Sequence, residues 1–329
     1  MIETITTLYD DLLFTLPSTT PPLKVYAIAD SARDESLKER ILASDIAYLD
    51  LWHEELWENE LSYPLYLVEL KAKDPLTGYL LSKHTECIAT YMISPYSLQT
   101  LQSYYSMFTY VDIEIQEAEP QKGIFGFYDP NILPNYIQTL YSQEKIDEFF
   151  AGVTMWLVPD VKDIRRLYIA YRDKDHTHIE DVWLDLEPFL HKSSPSLNFD
   201  SVTFPTEPNL DLYTHDVVID YRQIEIFDKM EQEKFVNGVL EEFEIEGYLF
   251  HRGKEANREL AFNLFHEAKD IGILSEAGIY RYILLGLTAL KPMRELVYYQ
   301  HIADASNEEA KIEIMDQIIS EIISIRRGS

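Results

Sequence analysis

The hydrophobic period changes once along this 329-residue chain, and that change limits the folds open to it. Up to about Leu186, short apolar runs of strand length alternate with stretches of helical spacing. Val25–Ala29, Ala47–Leu51, Leu65–Leu70, Ile88–Ile93 and Val111–Ile115 read as strands. Helices are expected at the start (Ile2, Ile5, Leu8, Leu12, Leu13), through Leu37, Ile41 and Leu42, and around Leu76–Leu81. Ser94-Pro95 reads as a cap and first turn of a helix through Leu98 and Leu101, and Ser142 as the cap of another ending at Phe149 and Phe150. After about Ile224 only the helical period remains. Phe235, Val239, Leu240 and Phe243 mark one helix, and Leu260, Leu264, Phe265 and Ala268 another, with Gly272 past its end. Ser275 heads a third, and Ser306 with Glu309 forms a capping box before Ile312, Met315, Ile319 and Ile322. The expectation is an α+β protein. A mixed α/β lobe covers residues 1–160, and a C-terminal lobe covers 161–329. That second lobe carries strands at Arg165–Tyr171 and Val182–Leu186, a Ser/Pro-rich linker at His191–Asn209, and then helices.

One stretch joins the two periods at a corner. Gly123–Leu133 reads GIFGFYDPNIL. Ile124 to Phe127 has strand chemistry, and Gly126 lets another backbone come close. Asp129 then reads as an N-cap with Pro130 at the first helical position. Tyr128 and Asp129 stand at the corner, where the residues serve either a well-made joint or a site. Asp30 and Arg33 pose the same choice. Asp30 ends a strand and its carboxylate can hold the N–H groups of the next turn, while the Arg33 guanidinium can reach a carboxylate such as Asp129 bidentately. The pair is either an internal brace or part of a partner-binding pocket at the strand ends.

The formal net charge is -29, and both halves of the chain are acidic. Such a surface repels nucleic acid and anionic membranes and attracts basic protein partners, and it also serves plain solubility. A single cysteine, Cys87, makes no intramolecular disulfide. No basic segment followed by an apolar one opens the chain, and no apolar run reaches membrane-spanning length. A cytoplasmic protein with no membrane insertion is expected.

Asp173, Asp175, His176, His178, Glu180 and Asp181 form the densest polar cluster. A His-x-His pair on a strand puts both imidazoles on one face, which suits a metal-dependent hydrolase; a solvated turn has the same composition. His84 and Cys87 belong to no recognisable thiol site. No Gly-rich phosphate loop, nucleophile elbow or paired Cys-x-x-Cys is present, so the residues call for no cofactor and no catalysis. Tyr104, Tyr105, Phe108 and Tyr110 are dense enough for an interface hot spot and equally suit a core.

Taken together, these stretches resemble the type VI secretion adaptor-chaperones, a family long catalogued as a domain of unknown function. The family's Tyr-Ala-x-x-Asp-Gly-Ala-Arg start is similar to Tyr26, Ala27, Asp30, Ser31, Ala32 and Arg33. Its Pro-Tyr-Leu-Val stretch is similar to Pro64–Val68, and its Ser-Pro-x-x-Leu to Ser94, Pro95 and Leu98. Phe125–Leu133 resembles its Phe-Arg-Phe-Tyr-Asp-Pro-x-x-Leu, with Gly126 in place of arginine, and Phe149, Phe150 and Gly152 resemble its Phe-Phe-Gly-Pro ending. The order and spacing hold over roughly Lys24–Pro159. The resemblance implies a non-enzymatic adaptor that binds a secreted effector in the cytoplasm and loads it onto the VgrG spike. It also implies a cargo site near Asp30, Arg33, Tyr128 and Asp129.

Overall fold

The computed structural model describes residues 2–53, 56, 63–83, 86, 88–115, 119–160, 162–163, 165–172, 179–189, 217–245 and 253–328. Asp173, Asp175, His176 and His178 of the polar cluster, the pair His84 and Cys87, and the Ser/Pro-rich stretch 191–209 lie outside them, while Glu180 and Asp181 of that cluster accept from the hydroxyls of Tyr171 and Tyr168. Helices and an antiparallel sheet are both present, and the chain is α+β.

In chain order the first unit holds α1 (Ile2–Phe14), β1 (Lys24–Asp30), α2 (Leu37–Ala43), β2 (Tyr48–Asp50), β3 (Leu65–Glu69), α3 (Pro75–Ser82), β4 (Ala89–Ser94) and α4 (Leu98–Tyr105). Then come β5 (Tyr110–Ile113), β6 (Gln121–Ile124), α5 (Leu133–Gln138), α6 (Gln143–Phe149), β7 (Met155–Pro159), β8 (Arg166–Arg172), β9 (Ile179–Asp185) and β10 (Val218–Ile219). Seven strands form one sheet in the order β2-β3-β1-β4-β7-β8-β9, every pairing antiparallel. A small second sheet runs β10-β5-β6.

The large sheet is covered on both faces, which is why its inner strands read as unbroken apolar runs rather than clean alternations. Along β1, Tyr26 and Ile28 face one core while Val25, Ala27 and Ala29 face the other. The second core is closed by α1, α2 and α3 through Tyr9, Leu12, Leu13, Ile41, Leu76 and Leu80. The first is aromatic. Tyr105, Phe108, Phe127, Phe149 and Trp156 are fully buried and meet with ring centroids 5.3–6.4 Å apart. Tyr104 and Tyr105 donate their hydroxyls to the carbonyls of Glu148 and Phe149. The tyrosine-rich stretch is therefore core, apart from the half-exposed Tyr110.

The boundary expected at residue 160 falls instead after Phe227. β7 pairs with β8 and β8 with β9, so the two strands assigned to the second lobe complete the sheet of the first. The second unit, Asp228–Ser329, is helical. It contains most of α7 (Tyr221–Ile245), then α8 (Lys254–Asp270), α9 (Glu276–Ala289), α10 (Tyr299–Ala303) and α11 (Glu308–Gly328). Its core is built from Val239, Phe243, Leu264, Phe265, Ile283 and Met315. Ser275 caps α9 by accepting from the Gly278 N–H at 3.2 Å, as its position suggests. α11 is capped by Asn307 and not by Ser306, since the Ala310 N–H reaches the Asn307 side chain at 2.9 Å. The Glu267 carboxylate, nearly fully buried, is satisfied by the Met293 N–H and the Arg294 guanidinium.

Two caps in the first unit also differ from expectation. α4 begins at Leu98 behind Ser97, whose hydroxyl accepts from the Thr100 N–H; Ser94 instead donates to the Gly152 carbonyl, joining the end of β4 to the approach to β7. The Asp129-Pro130 corner is a turn, and α5 starts only at Leu133 with Pro134 in its first turn.

Candidate partner-binding site

Asp30, Arg33, Tyr128 and Asp129 come together, brought by two turns from stretches 96 residues apart in the chain. β1 delivers Asp30, which pairs with Leu65 of β3. The Asp30 carboxylate accepts the Ala32 N–H at 2.9 Å and so holds its own turn. Ser31 is buried there; its N–H and hydroxyl both go to the Pro64 carbonyl, at 3.3 and 2.6 Å. Its φ is not positive, so the serine in place of glycine sits without backbone strain.

The second turn follows Phe127, whose buried ring anchors it in the aromatic core. Phe125 is tied back through its N–H to the Thr109 carbonyl at 3.1 Å. Beyond Phe127 the chain closes on Asp129. Its N–H reaches the Gly126 carbonyl at 2.9 Å, and its own carbonyl accepts from Leu133 at 2.8 Å. A Cβ on Gly126 would lie 3.2 Å from Ile132 Cδ1, so the close approach there is by a side chain and not by a second backbone. One carboxylate oxygen of Asp129 accepts from the Asn131 N–H at 2.9 Å. The other faces Arg33.

Arg33 bridges the two acids. Its Nη2 donates to Asp129, and its Nε lies 3.5 Å from Asp30 Oδ2. The bidentate grip on Asp129 expected from the sequence is thus divided between two carboxylates. Both acids are 14% exposed and Arg33 33% exposed, so the triad is partly shielded from water. Tyr128 stands beside it, half-buried, its ring edge-on to Trp52 at 5.9 Å and to Phe127 at 5.8 Å. Burial pushes the Tyr128 phenol well above its ordinary range; Asp30 and Asp129 add to this and Arg33 opposes it. Its hydroxyl stays protonated at any physiological pH. Among the described residues it makes no hydrogen bond, so it remains available to an incoming polar group.

Trp52 belongs to this site although nothing in its local sequence marks it. It follows β2, and its indole N–H donates to the Tyr63 carbonyl at 3.0 Å, across from the start of β3. Only the β2-β3-β1 pairing places it next to Tyr128. Half-exposed Tyr63 adds a second ring near this end of the sheet. The arrangement therefore offers an internally paired, net-acidic triad, one free phenol and aromatic walls, which suit gripping a peptide's polar and apolar groups. No group of His, Cys, Asp or Glu that could hold a metal ion occurs among the described residues.

Residues 25–146 match the family described as Domain of unknown function (DUF4123). The matched stretch runs from β1 into α6 and contains Asp30, Arg33, Trp52, Tyr128 and Asp129. No curated protein and no solved structure matches the chain. Among the described residues no helix is long and apolar enough to cross a membrane.

Proposed function

We propose that the chain is a non-enzymatic adaptor that binds a type VI secretion effector in the cytoplasm and helps load it onto the VgrG spike. One observation carries this reading. The family match over 25–146 encloses all four residues whose motifs resemble those of the adaptor-chaperones, and those residues meet at one end of the sheet. In this role Asp30, Arg33 and Asp129 stiffen the two turns, and Tyr128, backed by the buried Trp52, presents the contact surface. The charge of -29 favours cargo segments that carry Lys or Arg.

Co-purification with an effector encoded beside this chain tests the reading directly. The wild-type chain is expected to retain the effector, and separately the spike protein, on an affinity column. Asp30→Ala and Tyr128→Ala are expected to stay folded, Tyr128→Ala with the reduced stability that its lost ring contacts imply, and to weaken effector binding by about tenfold or more. Folded variants that still bind the effector at full strength would overturn the site. Failure of the wild-type chain to bind either component would overturn the function.

A further inference from the structure

The helical unit contains a trough that its own core does not fill. It lies along α7, with Phe265 and Lys269 of α8 and the start of α9 opposite, and encloses about 1050 Å³. On α7 it is lined by Asp228, Glu231, Phe235, Gly238, Val239 and Glu242, a run at three- and four-residue spacing. That seam spans roughly 21 Å at the helical rise, the length of four turns. Helices present such a stripe to another helix.

Gly238 leaves one point of the seam open. Glycine is among the poorest residues for a helix interior, so it needs a reason. Gly286 and Gly278 have one, because a Cβ there would lie 2.3 Å from Leu264 and 2.6 Å from Ile273. At Gly238 a Cβ would meet nothing within 4 Å. Among the described residues no neighbour fills the space above Gly238, which leaves room for a second backbone to come close. Across the trough stand small Ala277 and Leu274, which is 67% exposed.

Charge selects the occupant. Of the trough's cations, Lys234 is paired with Glu231 at 3.4 Å and Arg281 with Asp316 at 2.6 Å, while Lys269 lies over the Phe265 ring. The carboxylates of Asp228, Glu242 and Glu276 have no ion-pair partner among the described residues. We propose that the trough docks a basic amphipathic helix of a partner protein. That helix would lay an apolar stripe over Phe235, Gly238 and Leu274 and set Lys or Arg against Asp228, Glu242 and Glu276. A second copy of this acidic chain is the wrong occupant, because like charges would face each other. The inference concerns the helical unit alone and stands whether or not the site at Asp30 and Tyr128 holds cargo.

The test uses the full chain and fluorescent synthetic peptides of about eighteen residues, long enough for an amphipathic helix. One carries leucines at helical spacing among lysines, the second has the same composition in scrambled order, and the third has glutamate for lysine. Fluorescence anisotropy at physiological salt is expected to show the patterned basic peptide binding about tenfold or more tighter than either control. Gly238→Trp fills the trough and is expected to weaken that binding about tenfold with an unchanged circular dichroism spectrum. The surface pair Asp228→Lys/Glu242→Lys, which disturbs no core contact, is expected to do the same. Equal binding of the scrambled peptide, binding unaltered in both variants, or a dimer of this chain that Gly238→Trp dissociates would each overturn the proposal.

Discussion

The Arg33 guanidinium donates to the carboxylate of Asp129, ninety-six residues further along the chain. Through that bond, and through Asp30 at 3.5 Å, the turn that ends β1 is fastened to the turn that follows Phe127. Because Arg33 lies between two carboxylates, its removal does more than delete one attraction. It leaves two partly shielded like charges facing each other.

Arg33→Ala is therefore expected to destabilise the first unit by about 1–2 kcal/mol, above the usual value for an exposed ion pair. Asp129→Asn in the same background should recover part of the loss, because it relieves the repulsion that the missing cation exposes. Urea unfolding followed by tryptophan fluorescence, run on both single variants and the double, gives the coupling energy. Additive effects would show that the bridge contributes nothing beyond its parts.

Tyr128 separates packing from recognition. Its ring contacts Trp52 and Phe127, whereas its hydroxyl is unbonded among the described residues. Tyr128→Phe is accordingly expected to unfold within about 0.5 kcal/mol of wild type, while Tyr128→Ala loses about 2–4 kcal/mol. If the hydroxyl meets cargo, Tyr128→Phe loses effector affinity at constant stability, a combination that a purely structural tyrosine does not produce. Comparing melting curves with binding isotherms for the two variants checks this.

Phe127 is the packing half of the same motif. It is fully buried and meets Tyr105, Phe108, Phe149 and Trp156. Phe127→Ala is expected to cost about 3–5 kcal/mol, read from denaturant midpoints, because a close-packed aromatic cluster cannot collapse around the void. A loss under about 1 kcal/mol would mean that the cluster is loosely packed.

The elements were largely legible because their signals are local. Val25–Ala29, Leu65–Leu70 and Ile88–Ile93 became β1, β3 and β4, and Ser142 and Ser275 cap the helices that follow them. The meeting of Asp30 and Arg33 with Asp129 could also be anticipated, since each stands at a strand end or a corner. What stayed hidden depends on pairing between distant segments. The assignment of β8 and β9 to the first unit's sheet rests on the register of Met155 with Tyr171 and of Arg166 with Asp185. Trp52 reaches Tyr128 only through the strand order, and the trough at Gly238 only through helix packing. The cap at Ser94 failed for a different reason: Ser97, three residues on, offers the same chemistry, and Ser94 is drawn away to Gly152.

Acid should find a weak point in the helical unit at Glu308. One oxygen of its carboxylate accepts from the Leu274 N–H at 3.1 Å, the Ser275 N–H at 2.7 Å and the Ser275 hydroxyl at 2.6 Å. The Ser275 hydroxyl bond, followed by the Ser275 backbone bond, holds the carboxyl below the usual glutamate range. A carboxyl depressed in the folded state binds protons more readily once unfolded. It therefore stabilises the fold above its unfolded value of about 4.3, and that stability drains away as pH falls through the lower folded value. Glu308→Gln removes the titrating group. Its melting temperature is expected to fall below wild type at pH 7, with the gap closing as the pH drops toward about 3. The same bonds hold Ser275 over the Gly278 N–H at the head of α9, so the loss at neutral pH should appear as fraying of that helix. Hydrogen exchange at the amides of residues 278–281, compared at pH 7 and at about pH 4, reads it directly. A gap that does not change with pH would show that Glu308 holds α9 without linking it to protons.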